Sequence, residues 1–313
     1  MIIHDFQQLA GRIDSSCLTI GNFDGVHIGH QQLIMKVKKR ARLTGMASMV
    51  VTFDPHPMRV LVDKKTPPFI TLTGQKLRLI DAMGVDYTLC IHFNMQLASL
   101  EPEEFVRDIL VKGLKVRELI IGYDYAFGKG RRGNFNLLRD LGRVYGFAVD
   151  RFPPVMVGGA IVSSTRIRDL LEEGRVWDAR PLLGRFFNAE GKVVTGQRRG
   201  AALLGFPTAN ILLKDELFPK TGVYAVWIEV KGRVWAGVAN IGYNPTFGNE
   251  YLSVEVHIFD FSQDIYGEKA TVHFVQRLRS EKKFSGIDEL KSQIEKDCLL
   301  ARKILSAPEA LLG

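Results

Sequence analysis

Apolar and polar positions follow two different rhythms along this chain. Up to about residue 180, short apolar runs alternate with stretches of helical spacing. Strands are predicted over 17–20, 47–53, 87–91, 118–121 and 147–152, with helices over 31–43, 74–83, 102–110, 134–145 and 165–173. Pro102 suits a first helical turn. Such alternation implies a parallel sheet covered by helices on both faces, which binds ligands beyond the carboxyl ends of its strands. From about residue 186 to 274 the rhythm becomes that of short strands, over 189–194, 222–230, 234–240, 253–259 and 270–274, parted by Gly and Pro turns. This predicts an antiparallel barrel or sandwich. A long helix closes the chain, with Ser285 as N-cap and Ile287, Leu290, Ile294, Cys298, Ala301 and Leu305 on one face. The change of rhythm near 181–185 predicts two domains, 1–183 and 184–313.

Composition supports that division. A chain of 313 residues is long for one domain, and 46% hydrophobic with 24% charged residues is an ordinary globular balance. Cys17, Cys90 and Cys298 are far apart and form no Cys-x-x-Cys pair, so neither a disulfide framework nor a thiolate zinc site is indicated, and a reducing cytoplasm is expected. The first residues carry no basic-then-apolar pattern of a signal peptide, and no apolar run approaches the roughly 20 residues of a membrane helix. The net charge of +8 suits nucleic acid or small phosphate-rich ligands. Its densest run, Lys36-Val37-Lys38-Lys39-Arg40, lies in a helix interleaved with Leu33, Ile34 and Val37 and reads as a solvated helix face. No RRM, KH or zinc-finger pattern accompanies it, so a nucleic-acid partner is not expected. A homo-oligomer is left open.

Three segments carry chemistry in the first half. Residues 19–30 (TIGNFDGVHIGH) end the first strand and open a helix. Gly21 and Gly25 allow close backbone approach and a tight turn, and the helix N-terminus offers free N–H groups to phosphate. His27 and His30, three apart, share one face there and can donate hydrogen bonds to phosphoryl oxygens. The same pair could bind a metal, although no further ligand is evident nearby. Residues 163–168 (SSTRIR) set small hydroxyls and Arg168 at a helix start, where they either cap the helix or hold phosphate. A third segment, 122–134 (GYDYAFGKGRRGN), follows a predicted strand and so belongs to the same sheet edge.

The first two segments resemble the HxGH and ISSTxxR signatures of the nucleotidyltransferase superfamily. Within it, GNFDGVHIGH is similar to the FMN adenylyltransferase module of bacterial FAD synthetases. The resemblance implies a Rossmann-like α/β domain that adenylylates FMN to FAD and releases pyrophosphate. ATP would then be held by Gly21, Phe23, Asp24, Gly25, His27, His30, Asp124, Ser164, Thr165 and Arg168, and Phe127 would lie near the isoalloxazine. Residues 53–57 (FDPHP) match a loop of the same family.

The second half contains neither a P-loop nor a protein-kinase signature set. Residues 205–210 (GFPTAN), with 191–200 (GKVVTGQRRG) upstream, resemble riboflavin kinase, whose fold is a small antiparallel barrel. Gly196 and Gly200 would let backbone N–H groups approach phosphates, and Thr208 and Asn210 offer oxygen ligands of the kind Mg2+ takes. By resemblance, Thr208 and Asn210 coordinate the Mg2+ bound to ATP. Alternation over 253–260 puts Glu255 and His257 on one strand face and Val254, Val256 and Ile258 on the other. Resemblance makes Glu255 the catalytic base toward riboflavin and sets Arg279, in 278–284 (LRSEKKF), near the flavin. The expectation is thus a bifunctional enzyme that turns riboflavin, FMN and ATP into FMN and FAD. The alternatives are one active module beside a binding module, an adenylyltransferase for another acceptor, and a flavin- or nucleic-acid-binding regulator.

Overall fold

A computed structural model describes residues 1–62, 66–195, 205–213, 217–246 and 249–312, with side chains throughout these except at 243–246 and 249–251. The chain divides into two compact units, Met1–Ser164 and Thr165–Gly313.

The first unit is built on strands β1 (Ile2–Ile3), β2 (Ser16–Ile20), β3 (Ala47–Asp54), β4 (Tyr87–His92), β5 (Val116–Gly122) and β6 (Ala148–Phe152). They lie in the order β1-β4-β3-β2-β5-β6, and every neighbouring pair is parallel. A small hairpin, β7 (Met156–Val157) and β8 (Ala160–Ile161), follows. Leu18, Ile20, Met49, Val51, Leu119 and Ile121 pack on one face of the sheet. Cys17, Val50 and Ile120 pack on the other, against Leu33, Ile34 and Val37 of helix Ile28–Thr44. Burial on both faces is why these strands read as unbroken apolar runs. From β2 the chain moves outward through β3 to β4, and from β5 it moves the other way to β6. The reversal falls between β2 and β5, the switch point at which an open parallel sheet forms its ligand crevice. The segments 21–30 and 122–134 are the loops that leave those two strands. The basic run is absorbed locally: Lys36 pairs with Asp150, Arg40 with buried Glu118, and Lys38 donates to the Met83 carbonyl at 2.9 Å.

In the second unit, helices Ser164–Glu172 and Val176–Leu183 precede strands β9 (Phe187–Val194), β10 (Ala209–Leu213), β11 (Gly222–Val230), β12 (Arg233–Thr246), β13 (Asn249–Ile258) and β14 (Lys269–Arg279). These close an antiparallel barrel in the order β10-β13-β12-β11-β14-β9. Tyr224, Val226, Val254, Val256, Val272 and Phe274 fill its interior. Ala225, Val238 and Val275 face outward and are covered by Ala301 and Leu305 of the terminal helix Ile287–Leu305. The alternatives of barrel and sandwich thus resolve to a barrel.

Two readings change. Strand β10 goes unpredicted because its first residues, Ala209 and Asn210, look like a turn and only three apolar residues follow. The N-cap of the terminal helix is Gly286, not Ser285, whose N–H and hydroxyl both donate to Glu289 at 2.9 and 2.8 Å. Helix Val176–Leu183 falls within the second compact unit and packs on β9 and β14.

One consequence concerns acid stability. His273 lies opposite Asn188 of β9 on the outer side of β14, and its Nε2 is buried without a partner among the described residues. Burial first, and then the Arg185 cation, pushes its pKa down to about 4. The unfolded chain therefore takes up this proton near pH 6.5 while the folded one resists it, and stability is lost as pH falls from 6.5 toward 4. The loss is on the order of 3 kcal/mol at most. Denaturant titrations at pH 7 and pH 4.5 should show a smaller acid-induced loss for His273→Phe than for the parent chain; equal losses would remove His273 as the cause.

Candidate functional site

The turn after β2 is shaped by its backbone. Phe23, Gly25 and Val26 have φ of 51°, 81° and 40°, left-handed values that only glycine adopts without strain and that suit a β-branched residue least. Such strain, about 1–3 kcal/mol per residue, persists only where the surroundings over-determine it. Here they do. The buried Asp24 carboxylate accepts the Ile70 and Thr71 backbone N–H groups at 3.0 and 3.2 Å. The Asp24 carbonyl accepts the Ser164 hydroxyl at 2.9 Å. Phe23 is buried and meets His30 edge-on at 5.2 Å, and a side chain on Gly21 would come within 3.1 Å of the Phe23 ring.

His27 is the N-cap of helix Ile28–Thr44, and its Nδ1 accepts the His30 backbone N–H at 3.3 Å. A neutral His27 therefore carries its proton on Nε2. The His27 and His30 rings stack with centroids 3.5 Å apart. Burial, followed by the charges of His27 and Lys76, holds the His30 pKa well below its usual value. His30 Nδ1 is buried and has no partner among the described residues. This leaves a stacked imidazole pair, with His30 held toward its neutral form, at the N-terminus of helix Ile28–Thr44 by the switch point.

The remaining first-half candidates divide. Asp124 is exposed on the loop after β5. Phe127 is only 7% exposed and packs with Phe105 and Tyr125 in the core. Its ring acts as an internal post of that loop. Thr165 and Arg168 lie on helix Ser164–Glu172, whose residues from 165 onward belong to the second unit.

In the barrel, Glu255 of β13 lies opposite Asn210 of β10 on one side and Asn240 of β12 on the other. Directly opposed residues of antiparallel strands share a face, so the three form one polar row on the outer surface, away from buried Val254 and Val256. The row borders a cavity of about 390 Å³ whose walls include Thr208, Asn240, Glu255, Arg279 and Ile294. Thr208 also lines a second cavity of about 420 Å³, with Val193, Phe261 and Tyr266. His257 contacts the Pro207 carbonyl through Nδ1 at 2.9 Å and so tethers the segment that carries Thr208. Arg279 is held by Asp297 of the terminal helix, Nε to Oδ2 at 2.9 Å and the guanidinium amino group to Oδ2 at 2.8 Å. Gln293 donates to the same carboxylate at 2.9 Å. Gly196 and Gly200 lie outside the described residues.

Sequence reading missed Lys76, Asn240 and Asp297. Two of them left a trace. Lys76 and Asp297 are charged residues at buried positions of amphipathic helices, next to Leu77 and Ile80 in one and to Ile294 and Ala301 in the other. A charge on an apolar stripe is the informative exception to burial rules. Asn240 carries no such mark, since only the register of β12 with β13 gives it a role.

Comparison with known proteins assigns a family to each half of the chain. A family model described as FAD synthetase matches residues 11–166, and one described as riboflavin kinase matches residues 183–305. The bifunctional riboflavin kinase/FMN adenylyltransferase of Escherichia coli K12 is 39% identical over 96% of this chain and 97% of its own. The protein of that description from Pseudomonas fluorescens is 43% identical over 93% of both chains. The crystal structure of a Streptococcus pneumoniae chain described as a macrolide-efflux protein superposes with a TM-score of 0.85 at 33% identity, over 96% of this chain and 98% of that one. That description is said of the streptococcal protein; among the described residues here, no helix is long and apolar enough to cross a membrane. With the imidazole pair at the switch point of one unit, the polar row beside a cavity in the other and identity over nearly the full length, the chain belongs to the bifunctional riboflavin kinase/FMN adenylyltransferase family.

Proposed function

We propose that the barrel unit phosphorylates riboflavin to FMN and that the α/β unit adenylylates FMN to FAD, with functional domains 1–183 and 184–313. The carrying observation is the Asn210–Glu255–Asn240 row bordering one cavity, which shares Thr208 with a second. Glu255 takes the proton of the 5′-hydroxyl, the oxygen attacks the γ-phosphorus of ATP, and ADP leaves. Arg279, oriented by Asp297, faces the flavin. Thr208 and Asn210 contribute two neutral oxygens. So sparse a set suits Mg2+, which takes the rest of its shell from ATP phosphates and water and would neutralise charge on the transferring phosphoryl group. Gly196 and Gly200 are assigned to the phosphates of the same ATP.

In the α/β unit, an FMN phosphate oxygen attacks the α-phosphorus of ATP, the bond to the β-phosphate breaks, and pyrophosphate leaves. No covalent enzyme intermediate is needed, so catalysis is alignment and charge stabilisation. His27 and His30 donate to the phosphoryl oxygens as charge builds. Gly21 and Gly25 let the backbone approach, and Phe23 and Asp24 hold the turn. Asp124, Ser164, Thr165 and Arg168 are assigned to the same ATP by family resemblance. The setting proposed is cytoplasmic.

Incubation with riboflavin, ATP and Mg2+, followed by chromatography of the flavins, tests the whole reading. FMN followed by FAD is the expected result. FMN alone removes the adenylyl site, FAD from supplied FMN alone removes the kinase, and no conversion of either flavin overturns both.

A further inference from the structure

Lys76, in helix Thr73–Asp81, is 5% exposed. Its ammonium donates to the Asn22 carbonyl at 3.1 Å and to the Phe53 carbonyl at 3.2 Å. Those carbonyls belong to the turn leaving β2 and to the end of β3, so one cation bridges the end of β2, which borders the switch point, to that of its neighbour β3. It forms no direct ion pair with an acid among the described residues. Asp24 and Asp54 act on it only through space, because Asp24 is taken up by Ile70 and Thr71 and Asp54 accepts the Thr73 hydroxyl at 2.7 Å. The ammonium also borders a small cavity of about 60 Å³, shared with Asp54, Arg59 and Thr73.

A buried ammonium with two neutral acceptors is costly, since removing a charge from water is repaid only by close counter-charge. A methionine would fill the same space without that cost. The position thus carries a charge that folding alone does not require, and that charge is near enough to the imidazole pair to act on His30. Groups of this kind concentrate at functional sites.

We propose that Lys76 is a positioning residue of the adenylyl-transfer site: its ammonium ties the end of β2 to the end of β3 and supplies, near His30, a positive field toward which the phosphates are drawn. The proposal rests on the assignment of adenylyl transfer to this unit. Lys76 stabilises negative charge through the histidines and the turn, without itself being placed on substrate. The titratable groups facing it and His30 are His27, Asp24, Asp54 and Cys90.

The test is Lys76→Met in the full chain, with the chain's second activity as internal control. FAD formation from supplied FMN should fall about 10²-fold in kcat, the scale of a misplaced reacting group. Riboflavin phosphorylation should stay within about twofold, and thermal unfolding should occur no lower than in the parent, a combination that a purely structural lysine would not give. Apart from activity, the His30 ring protons followed by NMR should titrate at higher pH in the variant, because a cation near them is gone. Unchanged FAD formation, or an unmoved His30 titration, overturns the proposal. Loss of both activities together, or a lowered unfolding temperature, makes Lys76 a structural strut and overturns it equally. Absence of FAD formation in the parent chain would instead sink the assignment of the unit, and the His30 titration would still report on Lys76.

Discussion

Glu255→Gln should abolish FMN formation from riboflavin while leaving FAD formation from supplied FMN intact. Glutamine keeps the size of the side chain and an oxygen facing Asn210 and Asn240, so the polar row and the β10–β13–β12 register survive. What it removes is the capacity to accept a proton from the 5′-hydroxyl as that oxygen attacks phosphorus. General-base help of this kind is worth about 10²–10⁴-fold, and the loss should fall on kcat with riboflavin KM nearly unchanged. Initial rates of both reactions on one preparation check it. A parallel fall in both activities would point to unfolding or to a shared site, and a change in KM alone would make Glu255 a binding group.

His30→Ala should have the opposite signature. With one of the two stacked imidazoles gone, FAD formation should fall about 10²–10³-fold, the usual effect of removing one preorganised donor from a site of charge development, and riboflavin phosphorylation should persist. The parent geometry explains why the effect should be large. The ring is held edge-on by Phe23 and stacked on His27, so the donor is aligned before substrate arrives. Phosphate flexibly held by water in the vacated space would not restore that alignment. Retention of more than a tenth of the parental rate would mean that His27 and the helix N–H groups suffice.

The strand and helix rhythms of the first half were legible because its sheet is covered on both faces, which imprints unbroken apolar runs such as 49–53. The outward-facing Glu255 was legible for the related reason that a barrel strand alternates, with Val254 and Val256 inside. Gly25 was legible as a turn because a φ of 81° all but demands glycine. Elsewhere the local pattern was silent. Phe127 showed as an aromatic in a polar loop, and its packing beside Phe105 and Tyr125 came only with the fold. Helix Val176–Leu183 packs on β9 and β14, a partnership that local spacing does not report.

Local order, the two chemical signatures and the two-part organisation were therefore determined by the sequence itself, because periodicity, turn stereochemistry and motif spacing act over a few residues. Tertiary structure alone decided which distant groups meet. Sheet order brings the loops after β2 and β5 to one crevice, barrel register sets Asn210 and Asn240 on either side of Glu255, and helix docking joins Asp297 to Arg279 and Lys76 to the ends of two strands. The physical reason is range. A residue's spacing fixes the face it occupies, but the burial, charge and hydrogen-bond partners it finds on that face depend on elements tens or hundreds of residues away.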